Sequence, residues 1–185
     1  MKFEDFEEKE ISSELIFDGK VVRLMRYNVS LPNGQTSTRE VVRHVGAVCV
    51  VPITDQGEVI CVRQFRYPFA EVLLEIPAGK LNSKGEDPIE AAMRELTEET
   101  GASCDELISL GDLYPSVAIF DEVIHMYLAT NLKFGESHLD DDEFLETVKI
   151  PLDKMVEMIM NGEIKDAKTQ TAILKASNYL KDARR

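Results

Sequence analysis

Basic charge is scarce in this chain. Its 21 lysines and arginines stand against 34 aspartates and glutamates, a formal net charge of -13 over 185 residues. Such a surface repels nucleic-acid backbones and anionic membranes, which argues against a polymer or a lipid face as partner. A small phosphate compound stays admissible, because metal cations can stand between it and the carboxylates. Cysteine is sparse as well. Cys49, Cys61 and Cys104 are an odd number, far apart, and lack the short spacing of a metal site, so they read as reduced structural thiols. His44, His125 and His138 are equally dispersed and read as strand or loop residues, not as ligands. No apolar run approaches the roughly 20 residues that cross a bilayer. The first nine residues are charged and have no apolar signal core. The expectation is a soluble, cytoplasmic protein. There is no repeat and no low-complexity tract. An alternating Asp/Asn loop closing on Glu, the mark of a calcium-binding loop, is missing too.

What is present is a core-forming share of apolar residues, 44% of the chain, enough for one domain with a small extension. Residues 11 to 45 read as short strands. Val21 to Val29 and Ser37 to His44 flank Leu31-Pro-Asn33-Gly34, a strong hairpin signal. Val45 to Ile53 carries no polar side chain and reads as a buried strand. Glu58 to Phe65 and Val72 to Ile76 read as two more strands. The period then changes. Asp87 as N-cap, Pro88 at the first helical position, Glu90 closing a capping-box pattern and Gly101 as the stop predict a helix. Its apolar face is expected at Ile89, Ala92, Met93, Leu96 and Thr100. Two strands around a loop at 114 to 120 follow, then a polar loop at 132 to 143 and a last strand at 148 to 151. Helices at 152 to 161 and 167 to 182 are separated by Asn161-Gly162. Strands, a helix, strands and then helices indicate an α+β domain.

The chemistry is concentrated on the first of these helices. Glu95, Glu98 and Glu99 stand at i, i+3 and i+4 and share one side of it, expected to lie away from the apolar face. Like charges at that spacing repel, and a hard dication such as Mg²⁺ turns the repulsion into coordination. An ordinary solvated helix face would carry the same three glutamates, so the wider pattern matters. Arg94-Glu95-Leu96-Thr97-Glu98-Glu99-Thr100-Gly101, with seven residues between Glu86 and Arg94 and with Gly79 before them, resembles the signature of the Nudix hydrolases. Two details depart from it. Six residues instead of five separate Gly79 from Glu86, in a loop where an insertion is cheap, and Ala102 replaces a larger aliphatic residue.

Further likeness to the ADP-ribose pyrophosphatase branch spans nearly the whole chain. It is carried by Leu31-Pro-Asn-Gly, Arg39-Glu-Val-Val-Arg43-His, Gln64-Phe-Arg66 and Glu75-Ile-Pro-Ala-Gly79, together with Asp121-Glu122-Val-Ile-His and Asp141-Asp-Glu143-Phe. The resemblance implies a mixed β-sheet sandwiched by helices, residues 45–185, behind an antiparallel strand extension, residues 1–44, that joins a homodimer. It implies Mg²⁺, with Mn²⁺ as substitute, and hydrolysis of the pyrophosphate bond of a small nucleotide sugar, ADP-ribose first. Glu95, Glu98, Glu99 and the Ala78 carbonyl would hold the metal, and Glu98 and Arg94 would support catalysis. Glu143 would be the general base or a metal ligand, with Asp141 and Asp142 as competitors. Arg66 would hold a phosphate, Glu122 the terminal ribose, and Arg39 the adenosine end from the partner subunit. Ser116 opens the loop beside the sugar. There Val117-Ala118 stands where the branch has Pro-Gly, and a stiff Val cannot reproduce that turn. Another nucleotide sugar such as a GDP-hexose, a dinucleotide, or a non-catalytic sensor of ADP-ribose-like ligands are the alternatives.

Overall fold

The computed structural model describes residues 2–137 and 144–183. They fall into two compact units, Met1–Val45 with Tyr114–Glu122, and Gly46–Leu113 with Val123–Arg185. The first unit is a three-stranded antiparallel sheet of β1 (Lys9–Asp18), β2 (Arg23–Ser30) and β3 (Thr36–Arg43), in that order. The Asn33-Gly34 signal does form the β2–β3 turn. Gly34 has a φ of 82°, which costs glycine nothing, and its N–H donates to the Leu31 carbonyl at 2.9 Å. The segment Tyr114–Glu122 joins this unit through Val42. The Val42 N–H donates to the Ile119 carbonyl at 2.7 Å, and the Asp121 N–H returns to the Val42 carbonyl at 3.2 Å. All ten residues of β1 are exposed.

In the second unit every residue of β4 (Ala47–Pro52) is buried, and its alternation builds the layers. Cys49 and Val51 share a core with Met155, Ile159, Ile173 and Ala176, which come from α2 (Leu152–Met160) and α3 (Ala167–Ala183). Val48 and Val50 share the other core with Ala91, Ala92 and Leu96 of α1 (Pro88–Thr100). A strand covered by helices on both faces reads as an unbroken apolar run, as this one does. Each buried Val, Leu, Ile or Met side chain among them contributes about 1.5–3 kcal/mol. The sheet is mixed. β4 runs parallel to β10 (Ile124–Ala129), while β7 (Ala78–Lys80) and β9 (Leu107–Leu113) flank the pair antiparallel, in the order β7-β4-β10-β9. A second sheet has the order β12-β5-β6, made of β12 (Leu145–Pro151), β5 (Glu58–Arg66) and β6 (Glu71–Glu75). β8 (Ala102–Ser103) pairs with β11 (Lys133–Phe134). No helix of the described residues is long and apolar enough to cross a membrane.

The α+β expectation holds, with local corrections. β7, β8 and β11 were not expected; β11 lies in the stretch read as loop, and two- or three-residue strands carry no periodic signal. The last strand starts at Leu145, three residues earlier than expected, because Leu145, Glu146 and Thr147 pair with Gln64, Arg63 and Val62 of β5. Asp87 caps α1 by accepting from the Ile89 N–H at 2.8 Å, but Glu90 makes no return bond, so the capping box is half formed. The buried face of α1 is Ala91, Ala92, Glu95, Leu96 and Glu99, while Ile89 is 48% exposed. Packing on two sides of the helix draws two glutamates inside, and a pattern built on apolar residues alone misses them.

Candidate active site

Helix α1 positions the carboxylates. Pro88 and the Asp87 cap fix its start, and Gly101, at φ 67°, ends it with its N–H on the Thr97 carbonyl at 2.8 Å. Thr97 and Thr100 fold their hydroxyls back onto the Met93 and Leu96 carbonyls, 2.9 and 2.5 Å away. Glu95 and Glu99, one turn apart, are 9% and 5% exposed. Both face β7. The Ala78 N–H donates to Glu99 Oε2 at 3.2 Å. A Cβ built on Gly79 would overlap the Glu95 carboxylate, so only a glycine lets the strand backbone approach that closely.

Arg94 ties the group together. Its Nη1 donates to Glu95 Oε1 at 2.7 Å and to Glu98 Oε2 at 3.1 Å, and its Nη2 reaches Glu86 Oε1 and the Lys80 carbonyl at 3.5 and 3.4 Å. Burial acts against its charge. The hydrogen bond to Glu95 and the charges of Glu95 and Glu98 outweigh that, and its pKa is raised. Glu86 is held by the N–H and the amide of Asn82, and chiefly the backbone bond draws its pKa down. Arg94 Nε is buried without a hydrogen-bond partner among the described residues.

Three carboxylates, Glu86, Glu95 and Glu98, thus stand around one guanidinium, and Glu99 lies beside them on the Ala78 N–H. Among the described residues no three or more His, Cys, Asp or Glu side chains are gathered closely enough to hold a metal as they stand. The donor chemistry nevertheless fits a hard dication. The groups are oxygen donors, they carry excess negative charge, two are nearly buried, and a glycine clears space beside one of them.

A second charged cluster lies in the same unit. Arg66, on β5, donates from Nε to Glu75 Oε1 at 2.6 Å and from Nη2 to Glu75 Oε2 at 2.8 Å. Lys168 Nζ also donates to Glu75 Oε2, and pairs with Asp166 Oδ2 at 3.0 Å. Burial disfavours the Glu75 charge, yet the Arg66 hydrogen bonds and the Lys168 charge prevail and hold its carboxyl below the ordinary range. The Glu75 hydrogen bond, first, and more distantly the Glu99 charge raise the Arg66 pKa.

Ala78, Arg94, Glu95, Glu98 and Glu99 are therefore brought together, and Arg66 lies within the electrostatic reach of Glu99. Arg39, Ser116 and Glu122 belong to the other unit. There Arg39 is ion-paired to Glu8, with Nη2 on Oε1 at 2.5 Å and Nε on Oε2 at 2.9 Å. Glu122 Oε1 lies 3.4 Å from His44 Nδ1. The Ser116 carbonyl accepts from the N–H groups of Ile119 and Phe120, and Val117 is 81% exposed. Asp121 accepts from Arg43 at 2.8 Å and from the His44 N–H at 2.6 Å. Glu143, with Asp141 and Asp142, lies outside the described residues. Sequence reasoning gave no role to Glu75, Lys168 or Asp166. Lys168 and Glu75 are 93 positions apart, and no spacing rule links them.

A NUDIX domain pattern matches residues 42–170. The chain belongs to the Nudix family of hydrolases, the class expected from the motif that ends at Gly101. It is 46% identical over 170 residues, 91% of each chain, to a methanol dehydrogenase activator of Bacillus methanolicus. It is also 46% identical over 169 residues, 90% of this chain and 91% of the other, to an ADP-ribose pyrophosphatase of Bacillus subtilis (strain 168). That likeness bears out the kinship expected from the motifs outside the helix. The crystal structure of an ADP compounds hydrolase superposes with a TM-score of 0.85 over 95% of both chains at 24% identity, a likeness of fold.

Proposed function

We propose that this protein hydrolyses the pyrophosphate bond of ADP-ribose, giving AMP and ribose 5-phosphate. The carrying observation is the buried Glu95 and Glu99 pair set against the backbone of Ala78 and Gly79, within a complete Arg-Glu-x-x-Glu-Glu core. Glu95, Glu98, Glu99 and the Ala78 carbonyl would hold Mg²⁺, or Mn²⁺ in its place. When bound, the ion supplies charge neutralisation at the pyrophosphate and a water of lowered pKa. Arg94 holds Glu95 and Glu98 in place through two charge-assisted hydrogen bonds. Glu143 takes a proton as general base. Arg66 offers to a phosphate the guanidinium edge that has no partner among the described residues. Glu122 accepts from the terminal ribose, with Ser116 in the loop beside it. Arg39 contacts the adenosine end of a substrate bound mainly by the partner subunit, exchanging Glu8 for it.

The assignment of residues 1–44 to dimerisation and 45–185 to hydrolysis belongs to the same proposal. Its support is β1, where Ile11, Leu15 and Phe17 are 56%, 47% and 57% exposed in a strand with no covered residue. The 46% identity to a B. subtilis ADP-ribose pyrophosphatase favours this substrate. Equal identity to a methanol dehydrogenase activator, and the Val117-Ala118 loop, favour a second reading in which another nucleotide sugar or a dinucleotide is cut.

A product assay tests the proposal. Purified protein with Mg²⁺ receives ADP-ribose, ADP-glucose, GDP-mannose, NADH and diadenosine polyphosphates in parallel, and nucleoside monophosphate release is followed. Preferential AMP release from ADP-ribose supports it. Preference for another compound moves the substrate and keeps the chemistry. Binding of ADP-ribose with no hydrolysis of any compound overturns the enzymatic reading in favour of a sensor.

A further inference from the structure

Arg66 is aimed by groups outside its own strand. Glu75, 2% exposed at its side chain, engages the Nε and Nη2 of Arg66 and so fixes one edge of the guanidinium. Nη1 makes no hydrogen bond among the described residues, and the Arg66 side chain is 39% exposed, so the opposite edge is open to a ligand. Guanidinium geometry matches a phosphate or carboxylate through such a free fork.

Glu75 is itself clasped from the start of α3. Lys168, 13% exposed at its side chain, donates to the Oε2 that also serves Arg66. Asp166 pairs with Lys168 and accepts from the N–H and the hydroxyl of Thr169 at 2.9 and 2.6 Å. The Thr169 hydroxyl in turn accepts from the Ile76 N–H at 3.0 Å, one residue beyond Glu75. Two consecutive residues leaving β6 are therefore held by two consecutive residues of α3, and the loop closes through Asp166. The same stretch continues directly to Ala78, whose N–H holds Glu99.

The charges are matched one to one, Arg66 and Lys168 against Glu75 and Asp166. Without Lys168, a buried carboxylate would depend on Arg66 alone. A paired but partly desolvated charge is costly to leave without its partner, so Arg66 would be drawn inward and its open edge with it. With Lys168 sharing the carboxylate, Glu75 can direct the guanidinium without consuming it.

We propose that Glu75 and Lys168 are positioning residues that hold Arg66 for a substrate phosphate, and that the start of α3 thereby sets substrate affinity. This rests on the reading of Arg66 as a phosphate contact. The test uses ADP-ribose hydrolysis at saturating Mg²⁺, with KM, kcat and thermal midpoint measured for each variant. Lys168→Met and the charge-balanced double variant Glu75→Gln/Lys168→Met are each made with Arg66 present and in an Arg66→Ala background. The balanced pair removes the Glu75 charge together with that of Lys168 and leaves Asp166 held by the Thr169 N–H and hydroxyl, so it remains informative if Lys168→Met fails to fold.

With Arg66 present, the balanced pair is expected to raise KM about tenfold, the size of one charge-assisted hydrogen bond, with little change in kcat. In the Arg66→Ala background the same pair is expected to leave KM unchanged. An equal rise in both backgrounds, or none with Arg66 present, overturns the positioning role. If Arg66→Ala by itself leaves KM at the wild-type value, the phosphate-contact reading fails first, and the two failures are told apart.

Discussion

Substituting Gly79 by alanine separates the placement of one carboxylate from the stability of the fold. A Cβ at that position overlaps the Glu95 carboxylate and meets no backbone atom among its three nearest neighbours. Restoring ordinary van der Waals separation requires the carboxylate to move by more than about 1 Å. The moving group is the end of a flexible side chain, so β7 and α1 keep their paths. The stability cost therefore falls at the low end of overpacking, about 1 kcal/mol, which in a chain of this size is a shift of roughly 2–4 °C. Activity responds far more, because a displacement of about 1 Å in a reacting constellation costs on the order of 100-fold in kcat/KM. The assay is hydrolysis of ADP-ribose across a Mg²⁺ titration, beside a thermal melt. Expected are a large fall in kcat/KM, a higher Mg²⁺ requirement and a small melting shift. Wild-type kcat/KM at low Mg²⁺ would refute the reasoning, and a collapse in the melt would show that the helix moved instead.

Glu99→Gln keeps the shape of a side chain that accepts from the Ala78 N–H and removes its charge; turnover should fall by 100-fold or more, on the order of 2.7 kcal/mol of barrier, with the melt preserved, and near-normal rates at saturating Mg²⁺ would sink the metal assignment. Leu96→Ala opens a cavity at a fully buried site and should cost about 2–5 kcal/mol, read by urea unfolding. The Glu75 carboxyl has a lowered pKa in the folded protein, so its stabilisation is complete above the ordinary value of 4.5 and is lost as pH falls through the lower folded value. The stability gap between wild type and Glu75→Gln should thus narrow in acid below that point, and a gap constant from pH 7 to 3 would contradict it. Burial pushes the Cys49 and Cys61 thiols up to about 12, so a thiol reagent at pH 8 should label Cys104 first, as peptide mapping can establish.

How much of this was legible beforehand depends on the range of the interactions. Asp87, Pro88 and Gly101 announce α1 because each acts on its own backbone within one turn, and all three perform as expected apart from the missing Glu90 bond. β4 was legible because a strand covered on both faces leaves an unbroken apolar run. The three short strands were not, since two or three residues show no period. The burial of Glu95 and Glu99 was hidden for a different reason, because polar residues enter a packed layer only where a backbone such as Gly79 is brought against them. The Lys168 clasp was hidden by distance along the chain. Likeness of motif could point to Arg66, but only folding brings Lys168 to Glu75.

The excursion at Tyr114–Glu122 has a consequence for modularity. It leaves β9, pairs with Val42 at the amino-terminal sheet and returns as β10, so that unit is assembled from two stretches of gene separated by the whole Nudix helix. Neither part can be excised cleanly. A chain begun at residue 46 would keep an orphaned excursion, and one ended at residue 45 would lose the rung at Val42. Recombination at that apparent seam should yield poorly folding chimeras unless both stretches travel together.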